Sequence, residues 1–261
     1  WGMLVMIPAI TTLIFGFSRL GLPGMWTTGA ALLVVSAVAW VGFIWIEKRV
    51  AAPILAPQLL VNRTFLTVAA ASFLSYFGML GVMAYSPIFV QAVMGINPAI
   101  SGSMLTPFTV IVAFMGIPAG FLLARTGRYR WMYIVAYAVA ILCLSAMWRF
   151  TAQTPIWLFV LVTTVAGLGL GAIPIINTLV AQFAVPKRLL GVAVGAVFFF
   201  QMLGISTAPA ILGIAQNSAP DLERGLQRVF LVGAVAMVVS LLIVLTIPEV
   251  SVDGEVGESN G

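Results

Sequence analysis

The 261-residue chain is 62% hydrophobic and only 7% charged, with a mean hydropathy of +1.16, whereas soluble domains carry charge on about a quarter of their residues. That excludes a water-soluble domain and places the chain in a bilayer. With no histidine and one cysteine, Cys143, there is no internal disulfide, no Cys/His zinc set and no histidine triad, and no cofactor is implied. The net charge of +5 is spread in small clusters between apolar stretches, without the basic face and interleaved aromatics of a nucleic-acid binder, so no nucleic-acid partner is expected.

Uncharged windows of about 17 to 25 residues predict eight membrane-spanning helices, near 2–18, 24–46, 65–91, 100–124, 131–148, 156–183, 191–215 and 229–247. A transmembrane barrel would instead show segments of alternating polarity, and these segments are apolar all round. The chain opens on Trp1 and runs straight into apolar sequence with no signal-peptide pattern, so it is expected to be a fragment. Lys48, Arg49, Arg63, Arg125, Arg128, Arg130, Lys187 and Arg188 fall on one side of the expected spans, and Arg19, Arg149, Arg224 and Arg228 on the other. The positive-inside rule makes the first set cytoplasmic, and an even number of spans leaves both ends there.

Between the second and third spans, 47–64 combines Pro53, Pro57 and four charges with Ile54, Leu55, Leu59 and Leu60. This pattern predicts a connector lying in the headgroup plane. Residues 216–225 predict an outer loop, and the acidic, glycine-containing 248–261 a disordered cytoplasmic tail. Gly167 and Gly171, like Gly116 with Gly120 and Gly191 with Gly195, are spaced to give flat faces for close helix packing. The Gly167–Gly171 string is not a dinucleotide loop, because it has no preceding strand and no acidic residue about twenty positions on. Pro107, Pro118, Pro174 and Pro209 lie inside spans and predict kinks.

The most specific string is Gly120-Phe-Leu-Leu-Ala-Arg125-Thr-Gly127-Arg128-Tyr-Arg130, a short turn between two spans. It resembles the cytoplasmic loop signature of the major facilitator superfamily at Gly120, Arg125, Gly127 and Arg128, with Ala124 standing where the family usually has an acid. The stretch from Glu47 to Phe65 with Pro53 and Asn62-Arg63, the string Tyr85-Ser-Pro87-Ile-Phe-Val-Gln91, then Gly95, Ser101-Gly102, Pro107, Gly167-Leu-Gly169-Leu-Gly171 and Pro174, look like the fourteen-span drug:proton antiporters. The resemblance implies an all-α integral membrane protein of the major facilitator fold. Residues 1–46 would form two linker helices, 47–64 the connector, and 65–247 the six-helix carboxy-terminal bundle.

From the same resemblance come the expected partners: a small amphipathic or drug-like substrate, protons, the lipid bilayer, and a missing amino-terminal six-helix bundle that carries the titrating carboxylates. Gly120, Arg125, Gly127 and Arg128 would form the inner gating turn, and the protein would be an exporter of a bacterial inner membrane. No ionisable side chain falls at mid-span in this chain, so substrate contacts must come from uncharged groups. The candidates are Phe73, Tyr76, Phe77, Asn177, Phe199 and Gln201, an aromatic and weakly polar set suited to stacking and cation–π contact. Among the neighbouring polar and aromatic groups Ser72, Tyr85, Gln91, Phe198 and Phe200, Tyr85 is expected in an interfacial aromatic belt. A membrane-embedded enzyme would need His, Asp, Glu or Cys clustered at membrane depth, which the sequence lacks. A non-transporting remnant, or a narrow-substrate carrier of the same fold, is the alternative.

Overall fold

The computed structural model describes residues 2–20, 24–47, 59 and 61–247. Among them the chain forms α1 (Gly2–Leu20), α2 (Trp26–Glu47), α3 (Arg63–Ala92), α4 (Pro98–Met104), α5 (Thr106–Phe114), α6 (Gly116–Thr126), α7 (Tyr129–Met147), α8 (Ile156–Phe183), a single 3-10 turn Lys187–Leu189, α9 (Leu190–Asn217) and α10 (Leu222–Leu245). No strand occurs among the described residues. In hydrocarbon each backbone N–H and C=O has to be satisfied inside its own segment, which a helix does without help from neighbours.

Seven of the eight expected spans are long and apolar enough to cross a membrane. The first is helical as expected, over the 19 residues Gly2–Leu20. The last span begins earlier than its uncharged window: Leu222, Glu223 and Arg224 already belong to α10. Asp221 accepts from the Arg224 N–H at 2.7 Å, and this N-cap lets charged residues occupy the first turns. The expected outer loop 216–225 is therefore reduced to a few residues around Pro220. Most of the expected connector 47–64 and all of the expected tail 248–261 lie outside the described residues.

Pro174 and Pro209 sit inside α8 and α9 as expected. The span 98–126 also contains its two prolines within one membrane-length stretch, with a local irregularity ahead of each while the backbone stays right-handed helical. The irregularities, at Leu105 and at Met115, divide the span into α4, α5 and α6. The missing N–H of a proline and the clash of its ring with the carbonyl four residues back account for both.

α3 runs through the middle of the bundle, touching α7, α8, α9 and α10. Its crossing with α10 is close because glycine meets glycine: a Cβ on Gly233 would lie 3.2 Å from the Gly78 Cα. Gly167 and Gly171 do form the expected flat face, receiving α5 at Phe108, Ile111 and Val112. Gly169 points the other way, where a Cβ would stand 2.4 Å from the Ala136 carbonyl oxygen of α7. The two other glycine pairs correct the expectation. Around Gly120, Gly191 and Gly195 a Cβ would meet nothing within 4 Å, and beside Gly116 only the Ile175 side chain at ordinary contact distance. Spacing four residues apart marks a smooth face but not whether a neighbour occupies it.

α1 and α2 form an antiparallel hairpin closed by Gly16 and Gly29, with the Ser36 hydroxyl donating to the Ala9 carbonyl at 2.8 Å. The hairpin reaches the rest of the bundle through α9. A second long-range tie starts at Asn62, whose Oδ1 accepts from the Phe65 N–H at 3.0 Å and caps α3. Its Nδ2 donates to the Ala184 carbonyl at the end of α8, at 2.6 Å. Asn62→Asp keeps the cap and removes the donor, so it should lose about 1 kcal/mol less than Asn62→Ala, which loses both. Thermal unfolding of the two variants in detergent measures the difference.

Candidate substrate-cavity wall

The sequence-expected residues are distributed over two neighbouring places in the bundle. On α3, Phe73 and Phe77 pack edge-on with ring centroids 5.5 Å apart, and Tyr76 lies beside them on the same stretch. α9 comes against this stretch at Gly204, where a Cβ would stand 2.5 Å from the Phe73 carbonyl oxygen and 3.1 Å from the Tyr76 Cβ. Only glycine permits that approach. Further along the same pair, the Tyr85 hydroxyl donates to the Pro209 carbonyl at 3.2 Å, so the two helices run parallel. Tyr85 is thus a buried inter-helix tie.

One turn before Gly204, helical geometry sets Gln201 and the Phe199–Phe200 pair level with the turn of α3 that carries Ser72 and Phe73. The Phe199 and Phe200 rings are 5.5 Å apart, and Trp40 of α2 reaches Phe199 edge-on at 5.9 Å. Gln201 is 2% exposed, and among the described residues its Nε2 has no hydrogen-bond partner; nor has the buried Ser72 hydroxyl. Buried polar atoms without partners are rare and costly. The Phe73–Phe77 pair with Tyr76 on α3, and the Phe199–Phe200 pair with the buried Gln201 on α9, thus lie on two helices that meet at Gly204.

Asn177 does not join that contact. It is fully buried on α8, and its Oδ1 accepts from the Tyr133 hydroxyl of α7 at 2.8 Å, while its Nδ2 has no partner among the described residues. One turn on, the Tyr137 hydroxyl lies 3.2 Å from the Ser75 Oγ and 3.1 Å from the Ser240 Oγ, and Ser240 in turn donates to the Ala71 carbonyl at 3.1 Å. This network stitches α3, α7, α8 and α10 together. Sequence reasoning did not single out Tyr133, Tyr137, Ser75 or Ser240. The signal was present in Tyr129, Tyr133 and Tyr137, four residues apart on one face of one helix. Tyr133→Phe should cost about 0.6 to 1.7 kcal/mol, the usual worth of an inter-helix hydrogen bond in a membrane protein. The double variant Tyr133→Phe with Asn177→Leu should recover part of that, as read by thermal unfolding.

At the short turn, Gly127 adopts φ +61° and its N–H returns to the Leu123 carbonyl at 2.9 Å, while Arg128 starts α7. The left-handed conformation suits glycine and explains why two long helices can be joined by two residues. Arg125, Arg128 and Arg130 are exposed, and among the described residues their side chains make no hydrogen bond or ion pair. Neither are there groups of His, Cys, Asp or Glu among the described residues that would hold a metal.

The family model of the Major Facilitator Superfamily matches residues 1–209. An uncharacterised MFS-type transporter of Mycobacterium tuberculosis is 33% identical over 214 residues, 81% of this chain and 31% of its own length. The multidrug transporter protein MdtP of Bacillus subtilis is 27% identical over 83% of this chain and 40% of its own length. A tetracycline resistance determinant of Streptomyces rimosus is 31% identical over 70% and 53% respectively. The chain thus spans between about a third and a half of these relatives. With membrane-length helices throughout and a matching family model over four fifths of its residues, the chain belongs to the major facilitator superfamily of membrane transporters.

Proposed function

We propose that the chain is the carboxy-terminal part of a fourteen-span drug:proton antiporter that exports small amphipathic molecules from a bacterial cell by alternating access. Residues 1–46 are the linker pair, 65–247 the carboxy-terminal six-helix bundle, and both ends of the chain are cytoplasmic. The observation that supports this reading is the α3–α9 contact at Gly204, between helices that carry the Phe73–Phe77 and Phe199–Phe200 pairs and the buried Gln201 amide. Such a surface takes flat, weakly polar or cationic molecules without demanding one shape. Two relatives are named for multidrug transport and tetracycline resistance, which agrees with a broad substrate range.

Proton exchange requires a group that titrates in the membrane. No Asp, Glu, Lys or Arg of this chain falls at mid-span, so that group belongs to the other six-helix bundle. The α6–α7 turn with Gly120, Arg125, Gly127 and Arg128 is the inner gate. As it positions helices and touches no substrate, Arg128→Gln should slow turnover several-fold for every compound alike; a defect confined to one compound contradicts this role.

The deciding experiment measures efflux of a lipophilic cationic dye from cells expressing the full-length gene, with and without a protonophore. Energy-dependent efflux that collapses with the proton gradient supports the antiporter. Absence of efflux despite confirmed insertion moves the function to a narrow-substrate carrier or a non-transporting remnant.

A further inference from the structure

The three-part span α4–α6 leaves a gap in the bundle surface. α6 rests mainly on α8 and meets α7 little beyond their shared turn. Between them lies a groove of about 260 Å³, lined among others by Pro118, Leu122, Trp131, Val135, Ala136 and Ala172. Its lining side chains are all apolar. Ala119, Met132, Ala136 and Ile176 form a buried floor, while Val135 and Leu168 on the rim are 52% and 41% exposed. From Trp131 to Val139 along α7 the groove is about 12 Å long. At its end nearest the turn the character changes abruptly. Arg125 and Arg128 flank the turn and Arg130 precedes Trp131, all exposed and, among the described residues, unpaired. An apolar trough leading out from three exposed cations matches an acyl chain joined to an anionic headgroup.

We propose that this groove is a binding site for an anionic phospholipid, with an acyl chain along α7 between Trp131 and Val139 and the phosphate at Arg125, Arg128 and Arg130. A zwitterionic lipid offers the same tails but no net charge to three bases. A base beside an anionic headgroup contributes up to about a fivefold factor in affinity. The α7 backbone adds to this: Arg128 at the N-cap makes no side-chain cap, so the N–H groups of the first turn can add to the attraction for an anion.

The test uses a full-length transporter whose sole tryptophan is Trp131, reconstituted in vesicles containing brominated phosphatidylglycerol or, at equal mole fraction, brominated phosphatidylcholine. Trp131 is 39% exposed at the groove mouth and is quenched by bromine on a neighbouring acyl chain. The expected result is an association at least about fivefold stronger for phosphatidylglycerol, falling to parity in R125Q/R128Q/R130Q and weakened by Ala119→Leu, which narrows the floor. Equal quenching by both lipids in the unaltered groove overturns the proposal, as does a preference that survives loss of the three arginines. Quenching by neither lipid also overturns it, because another part of the transporter then covers the groove. The first comparison needs only the tryptophan-reduced protein, so a groove variant that fails to insert does not remove the test.

Discussion

Gly169→Ala should destabilise the transporter by about 2 kcal/mol or more, the largest effect expected from adding a single methyl group to this chain. The added carbon would stand 2.4 Å from the Ala136 carbonyl oxygen and 3.0 Å from the Ala140 N. Both are backbone atoms, so no rotamer change relieves the contact. α8 would have to withdraw from α7 by about 1 Å to reach an ordinary 3.4 Å separation. That movement also stretches the 2.8 Å bond from Tyr133 to Asn177, on the same two helices and two turns along α8. Gly116→Ala is the matching control: its new carbon meets only Ile175 side-chain atoms at 3.4 and 3.5 Å, and stability should stay within about 0.5 kcal/mol. Apparent melting temperatures of the full-length proteins in detergent separate the two. Equal melting of Gly169→Ala and the unaltered protein would mean that α7 and α8 are less closely packed than described here.

The same glycines show what a membrane sequence reveals and what it withholds. Uncharged windows located every membrane-length helix among the described residues, because the bilayer demands long apolar segments whatever their neighbours. They misjudged the start of α10, where Asp221 caps a turn that carries Glu223 and Arg224 outside the apolar part. Face-to-face contact is a different matter. The spacing of Gly167 and Gly171 is the same as that of Gly191 and Gly195, yet α5 packs on the first pair and nothing described packs on the second. Pattern defines a surface, and topology decides what lies on it. Prolines behave likewise: helix assignment runs unbroken through Pro174 and Pro209, whereas a local irregularity precedes Pro107 and Pro118, although all four stand in apolar spans.

For the candidate wall, the sequence identified the residue types and the helices but not their partition. Asn177 and Gln201 read alike as lone amides in apolar helices. In the structure Asn177 is held by Tyr133 inside the bundle, and Gln201 is buried on α9 one turn before Gly204, which meets Phe73 of α3. The Tyr133 bond spans 44 residues, and the bonds of Ser240 to Ala71 and Tyr137 reach across 169 and 103. Pairings so distant are set by the arrangement of helices, which local periodicity does not encode. The spare donor of Gln201 is likewise visible only once its neighbours are in place.

That spare donor leads to the second large expected effect. In the complete transporter, Gln201→Leu and Tyr76→Leu should each change the relative efflux of cationic and neutral aromatic dyes by about tenfold while leaving the amount of inserted protein unchanged. Gln201 offers an unpaired buried Nε2, and its removal penalises only substrates that accept a hydrogen bond there. Tyr76 offers an aromatic face; loss of one cation–π contact in a desolvated site is worth about 1 to 2 kcal/mol, near a factor of ten, and should fall on cations alone. The two variants therefore ought to shift selectivity in different directions. Asn177→Leu provides the contrast, since its amide is already bonded to Tyr133 and lies away from the wall: it should reduce stability without altering the ratio of dyes. Efflux assays over a panel of dyes, normalised to membrane protein, report both quantities. Parallel loss of every dye in the Gln201 and Tyr76 variants would reassign these residues to helix packing, and a selectivity change in Asn177→Leu would move the substrate path toward α7 and α8.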